Sequence, residues 1–154
     1  MAIIAALFGL ALLVARPSAE PPAATPYVGK RGASRANASG LGVSLRRAGE
    51  VDVRPLAPGT AVRGGDTLRF TVRAEAARYL LVRLRDGEAA PTTIFPASGD
   101  AARVQPGEAL PVTPVLAPGA GKVVVTAVFA DHPFALEGAR AADTEVVDLV
   151  MEKE

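Results

Sequence analysis

The chain has 154 residues, with 17 basic and 16 acidic side chains, a formal net charge of +1 and no cysteine. So even a balance excludes a global field that would draw the chain onto nucleic acid. The missing thiols exclude disulfides, thiolate catalysis, cysteine-ligated zinc and a lipoprotein-type cysteine anchor.

The chain opens on residues 2–15 (AIIAALFGLALLVA), an apolar run stopped by Arg16-Pro17. As a helix it spans about 21 Å, short of the ~30 Å hydrocarbon core of a bilayer. Its length matches the apolar region of a signal peptide. Against that, no Lys or Arg precedes it, and Pro17-Ser18-Ala19 is a poor cleavage site. A membrane anchor, or the end of a longer spanning helix that begins before Met1, fits as well. Residues 1–18 are therefore expected to be a signal peptide or membrane anchor, touching the membrane through residues 2–15. Arg16, Lys30, Arg31 and Arg35 follow the run, and flanking charge of that kind does not fix the side on which a long domain ends. Residues 19–40 are rich in Pro, Gly and Ala and are expected to form a disordered linker, extended in its Pro-rich half.

From Leu41 the apolar period is two. Leu41, Val43 and Leu45 alternate with Gly42, Ser44 and Arg46, and Gly49 allows a turn into residues 51–53. After Gly64-Gly65-Asp66, the next strand puts Leu68, Phe70 and Val72 on one face and Arg69, Thr71 and Arg73 on the other. Residues 79–85 repeat the code, with Leu80, Val82 and Leu84 opposed to Tyr79, Leu81, Arg83 and Arg85. A hairpin that matches the apolar faces pairs Val72 with Leu80, Phe70 with Val82 and Leu68 with Leu84. Asp86-Gly87 is a turn, and residues 92–95 and 110–113 are short strands beside prolines, suited to sheet edges. Residues 122–130 (KVVVTAVFA) are apolar on both faces, as a central strand covered on both sides would be. Residues 135–143 are expected to hold a helical turn or two. Residues 145–152 read as a final strand, with helix as the alternative. The sum is an all-β domain over residues 41–154, an Ig-like antiparallel β-sandwich of seven or eight short strands behind an N-terminal hydrophobic helix and its linker.

Chemistry-bearing patterns are sparse. The one histidine, His132, sits in Asp131-His132-Pro133 without a Gly-x-Ser-x-Gly elbow to present a nucleophile. No second histidine and no Asp-rich calcium loop accompany it. Gly64-Gly65 and Gly119-Ala120-Gly121 lack the Gly-Lys-Ser/Thr signature of a phosphate cradle and read as tight turns. Asp66, Asp86, Glu88 and Asp100 fall in turns, where paired-carboxylate catalysis has no footing. No catalytic residue, cofactor or metal is expected. In the hairpin register above, Arg69 stands opposite Arg83 and Arg73 opposite Tyr79, with Arg85 on the same face. Opposed like charges destabilise a sheet. Either carboxylates on neighbouring strands or solvent compensate them, or Arg69, Arg73, Tyr79, Arg83 and Arg85 form an anion- or partner-binding face.

Gly65-Asp66-Thr67-Leu68-Arg69-Phe70, Arg78-Tyr79-Leu80, Asp86-Gly87, Phe95-Pro96, Gly107 and residues 129–133 occur in that order. The series resembles a bacterial family of domains of unknown function, number 4384, whose pattern runs G-D-x-L-R-F, G-Y-L, D-G, L-F-P. Relatives of myxobacterial type begin near a Lys-Gly motif, comparable to residues 28–32, and close with Glu-Lys, comparable to Glu152-Lys153. The resemblance covers residues 41–152. Arg78 stands where the family has glycine, and the stretch after Pro133 is short. The resemblance implies an extracytoplasmic Ig-like domain without catalytic residues, found in membrane-anchored regulators. This chain has no cysteine for the zinc domain that some of them carry.

The expected role is a non-catalytic envelope domain, membrane-anchored, periplasmic or secreted, used for sensing or for contact with an envelope protein or surface polymer. The alternative is a structural module that joins an assembly by edge-strand pairing.

Overall fold

Wherever apolar residues recur at every second position, the chain is extended, and glycine or proline closes the run. In the computed structural model, described for residues 39–57, 59–138 and 143–154, eight strands form, the longer ones on this alternation. They are β1 (Gly40–Arg46), β2 (Val53–Pro55), β3 (Thr67–Arg73), β4 (Arg78–Asp86), β5 (Thr92–Phe95), β6 (Ala102–Val104), β7 (Gly121–Ala130) and β8 (Glu145–Lys153). The expected anchor in residues 2–15 and nearly all of the expected linker lie outside the described residues.

The strands form two antiparallel sheets. The first has the order β2-β1-β3, and the second the order β5-β4-β7-β8, with β6 also on β4. One apolar core joins them. Leu41 and Leu45 of β1 and Leu68, Phe70 and Val72 of β3 meet Leu80, Val82 and Leu84 of β4, Val123, Val125, Ala127 and Phe129 of β7, and Leu149 and Met151 of β8. Phe70 and Phe129 are its largest members and are fully buried, each contributing about 2–3 kcal/mol of apolar transfer. β7 lies between β4 and β8. Its second face is partly closed as well, because Val128 and Ala130 are buried there beside Leu81 of β4.

The structure departs from the expected hairpin. β3 does not pair with β4; it pairs with β1, Val72 opposite Leu41, Phe70 opposite Val43 and Leu68 opposite Leu45. β4 pairs with β5, β6 and β7. The short segment after Arg73 carries the chain from one sheet to the other. The apolar rows of β3 and β4 do meet, but across the core rather than side by side.

Residues 107–116 run along the free edge of β3. The Leu68 amide donates to the Pro114 carbonyl at 3.0 Å, Leu110 to Phe70 at 3.0 Å and Val72 to Glu108 at 2.8 Å. Pro111 and Pro114 lack the donors for a full ladder, so the segment makes isolated bridges, Thr71 with Ala109 and Thr67 with Val115. The expected strand at residues 110–113 is thus a discontinuous edge. Residues 51–53 are shifted too: β2 starts at Val53, and Val51 stands exposed ahead of it. β6 gave no clear sequence signal. The turn expected near residues 135–143 is a 3₁₀ turn at Leu136–Gly138, and the tail is strand.

The two glycines of the β3 entry turn differ in role. Gly65 holds φ +85°, whereas a Cβ on Gly64 would come within 2.7 Å of Pro118 Cα. Gly64 is needed for close approach rather than for a left-handed backbone.

Candidate functional site

The carboxylates settle first, because they decide which cations are left over. Asp66 is buried at the head of β3. Its Oδ2 accepts from Arg47 Nη1 at 2.7 Å and from the Arg63 amide at 2.8 Å, and its Oδ1 from the Ala48 amide at 3.2 Å. Arg47 Nη2 also donates to the Ala61 carbonyl at 2.9 Å. One carboxylate therefore fixes two turns and an arginine. At the far end of β4, Asp86 pairs with the buried Lys153 ammonium of β8, and its second oxygen accepts from the Ala117 amide at 2.7 Å. Lys153 also reaches the Ala117 carbonyl at 3.2 Å. Arg78 donates to Ser39 Oγ at 2.7 Å and Glu145 Oε2 at 2.6 Å, while the Ser39 amide donates to Glu145 Oε1 at 2.9 Å. This clasp ties the entrance of the domain to β4 and β8.

The five residues expected to share one face do not share it. Arg69 and Arg73 project from β3, on the side of the first sheet away from the core, and both are exposed. Tyr79, Arg83 and Arg85 project from β4, away from the core on the second sheet. The core lies between the two groups, so Arg69 does not oppose Arg83, and Tyr79 does not stack under Arg73. In register, Tyr79 faces Arg103 and Ala130, and Arg83 faces Thr93 and Thr126.

The two outer faces differ in charge. On the second sheet, acids are interleaved with the cations: Asp148 accepts from Thr126 Oγ1 at 2.6 Å, and Glu152 lies 3.7 Å from Lys122 Nζ. Arg83 Nη2 donates to the Pro91 carbonyl at 3.3 Å, and its buried Nε meets no acceptor among the described residues.

On the first sheet, the ladder gives rows of side chains that share the outer face. One row crosses the sheet as Val53, Arg46, Thr67 and Val115. The next holds Pro55, Ser44 and Arg69, the third Gly42, Thr71 and Ala109, and the last Gly40 and Arg73. No acid occupies any of these rows. Among the described residues, Arg46, Arg69 and Arg73 have no carboxylate within ion-pair distance, as is also true of Arg83, Arg85 and Arg103 on the second sheet, whereas Arg47, Arg54, Arg63 and Arg78 each have one. Gly42 makes room for one of them: a Cβ there would stand 3.0 Å from Arg73 Nε, so the guanidinium lies across the bare β1 backbone. Beside Arg46 an open hollow of about 500 Å³ is lined by Arg47, Gly49, Glu50, Thr67 and Val115 among others, with the Glu50 carboxylate engaged by Arg54.

The face on the first sheet therefore keeps Arg69 and Arg73, loses Tyr79, Arg83 and Arg85, and gains Arg46. The alternation of β1 already put Arg46 opposite Leu45 in facing; what it lacked was the identity of β3 as the neighbour.

His132 Nε2 lies 3.2 Å from Asp143 Oδ2, with both side chains more than half exposed. Among the described residues, no three His, Cys, Asp or Glu side chains are grouped to hold a metal ion, and no helix is long and apolar enough to cross a membrane. No family model matches the chain, and no curated protein or solved structure matches it either.

Proposed function

We propose that this chain is a non-catalytic domain of the bacterial cell envelope, anchored or exported by residues 2–15, that works by binding an anionic envelope component. Its architecture is an Ig-like β-sandwich, a reading supported by two antiparallel sheets around one core. Kinship with family 4384 belongs to the same proposal. Its support is positional: the Gly-Asp and Asp-Gly pairs that carry the resemblance fall at the buried Asp66 and at the half-buried Asp86, which pairs with buried Lys153.

The observation behind the reading is that the strand rows on the outer face of the first sheet hold no acid, Glu50 standing at its border and paired to Arg54. Arg46, Arg69 and Arg73 share a face with hydroxyls, glycines and valines rather than with carboxylates. Guanidinium groups suit carboxylate or phosphate anions, to which they donate two parallel hydrogen bonds. Fractionation with protease protection of a C-terminally tagged full chain tests the location; a fully cytoplasmic, soluble product would reject it. Titration with polyphosphate and with a polyuronate tests the binding. Wild type is expected to bind at low salt and to lose affinity as salt rises, and the R46E/R69E/R73E variant is expected not to bind.

A second reading, assembly by strand addition, is favoured by β8 alone. It is nine residues long, has no proline, and borders solvent on one edge apart from the bridge of Val62 to its last residues. Other sheet borders are three or four residues long or broken by proline. Replacing Asp148 or Val150 by proline would block added strands on that edge without removing an internal bond to β7. If this reading holds, either change disperses the assembly.

A further inference from the structure

We propose that the anion met by the first sheet is the headgroup layer of an anionic lipid bilayer, on which this face lies flat. The inference rests on the binding reading above and narrows it to one surface.

Three features distinguish a bilayer from a soluble polymer. The first is the company the arginines keep. The row that contains Arg46 has a valine at each end, Val53 at 40% and Val115 at 64% exposure, and Val51 just ahead of β2 stands at 91%. Val146 and Val150 on the second sheet stand at 44% each, so Val51 and Val115 are the two most exposed large apolar side chains of the described residues. A polymer in water has no use for them, whereas an interface takes apolar side chains into the acyl boundary while cations meet the phosphates. The second feature is shape. Arg73, Arg69 and Arg46 are spread over the length of β1 and β3, about 20 Å, and the one hollow described on this face lies at the Arg46 end only. The third is the attachment. Ser39 is pinned by Arg78 and Glu145, and Gly40, where β1 starts, stands opposite Arg73 at one end of the same face. The end of β1 nearer residues 2–15 in the chain is thus the Arg73 end of the arginine face.

The charge arithmetic is sufficient. A basic side chain close to an anionic leaflet contributes about fivefold to partitioning. Removal of three charges is thus expected to lower the docked-to-undocked ratio by a factor on the order of 100, and their reversal by more. The absence of native cysteine gives a clean background for site-specific probes.

The full chain would be labelled with an environment-sensitive fluorophore at T113C, on the segment that borders the face, or at V150C on the opposite sheet. It would be presented to phosphatidylcholine vesicles with and without 30% phosphatidylglycerol. Docking is expected to shift the T113C emission to the blue only with phosphatidylglycerol, to leave V150C unshifted, and to reverse in high salt. R46E/R69E/R73E, shown folded by its dichroism spectrum, is expected to abolish the shift. V51S/V53S/V115S is expected to weaken it while leaving polyphosphate binding intact. Equal shifts at both positions, or a T113C shift indifferent to lipid charge, would overturn the proposal. If polyphosphate bound through the arginines but vesicles gave no shift, the bilayer inference would fail and the binding reading would stand. Loss of both would remove the two together.

Discussion

Asp66, Asp86, Glu88 and Asp100 look alike in sequence, each a carboxylate in a turn. In the fold they are not alike. Asp66 is buried with two amides and a guanidinium around it, and Asp86 meets a buried ammonium, whereas Glu88 and Asp100 are exposed. Asp66→Ala would strand Arg47 and leave two turn amides without an acceptor. Removing one partner of a buried pair costs about 3 kcal/mol or more, against less than ~0.5 kcal/mol for an exposed acid such as Glu88→Ala. Urea unfolding midpoints for the two variants would read the difference directly. Equal midpoints would show that the Asp66 hub does not hold the turns. The distinction was not legible in the sequence because it depends on what lies across the turn. Arg47 is 19 positions away from Asp66, and Lys153 is 67 away from Asp86.

At the scale of elements, alternation was a good guide to facing and a poor one to neighbours. Leu68, Phe70 and Val72 are buried as their spacing required, and so are Leu80, Val82 and Leu84. Matching two apolar rows is satisfied equally by strands side by side in one sheet and by strands face to face in two. Only the connection decides, and the short connection between β3 and β4 permits either. The edge character of residues 107–116 was legible through Pro111 and Pro114, since a missing amide is a local fact. The central place of β7 was legible for the same reason, in a run apolar on both faces. A short bis-maleimide crosslinker is expected to join S44C to R69C, which face each other across β1 and β3. It should not join R69C to R83C, because the core separates them. Crosslinking of the second pair would restore the β3–β4 hairpin and remove the arginine face as described.

For the molecule as a whole, a net charge of +1 conceals a division of labour. Buried Asp66 and half-buried Asp86 are spent on ion pairs that lock turns, the second sheet mixes both signs, and the outer strand rows of the first sheet keep cations without acids. Such a face is not what stability alone selects, since like charges on one sheet repel and stability is commonly given up where function needs it. The opposite reading, that Arg69 supports the fold, predicts the opposite sign for one substitution. Arg69→Glu places a carboxylate diagonal to Arg46 and on the same face as Arg73. If the face exists for binding, this change is expected to raise stability slightly, by about 0.5 kcal/mol or less, while binding to anionic partners falls. If Arg69 were structural, its reversal would cost stability, as Arg47→Glu must by placing a second acid against buried Asp66. Urea midpoints of the two reversals, read beside vesicle binding, separate these cases: a stabilised but non-binding R69E variant marks a face kept for a partner, and a destabilised one marks a scaffold.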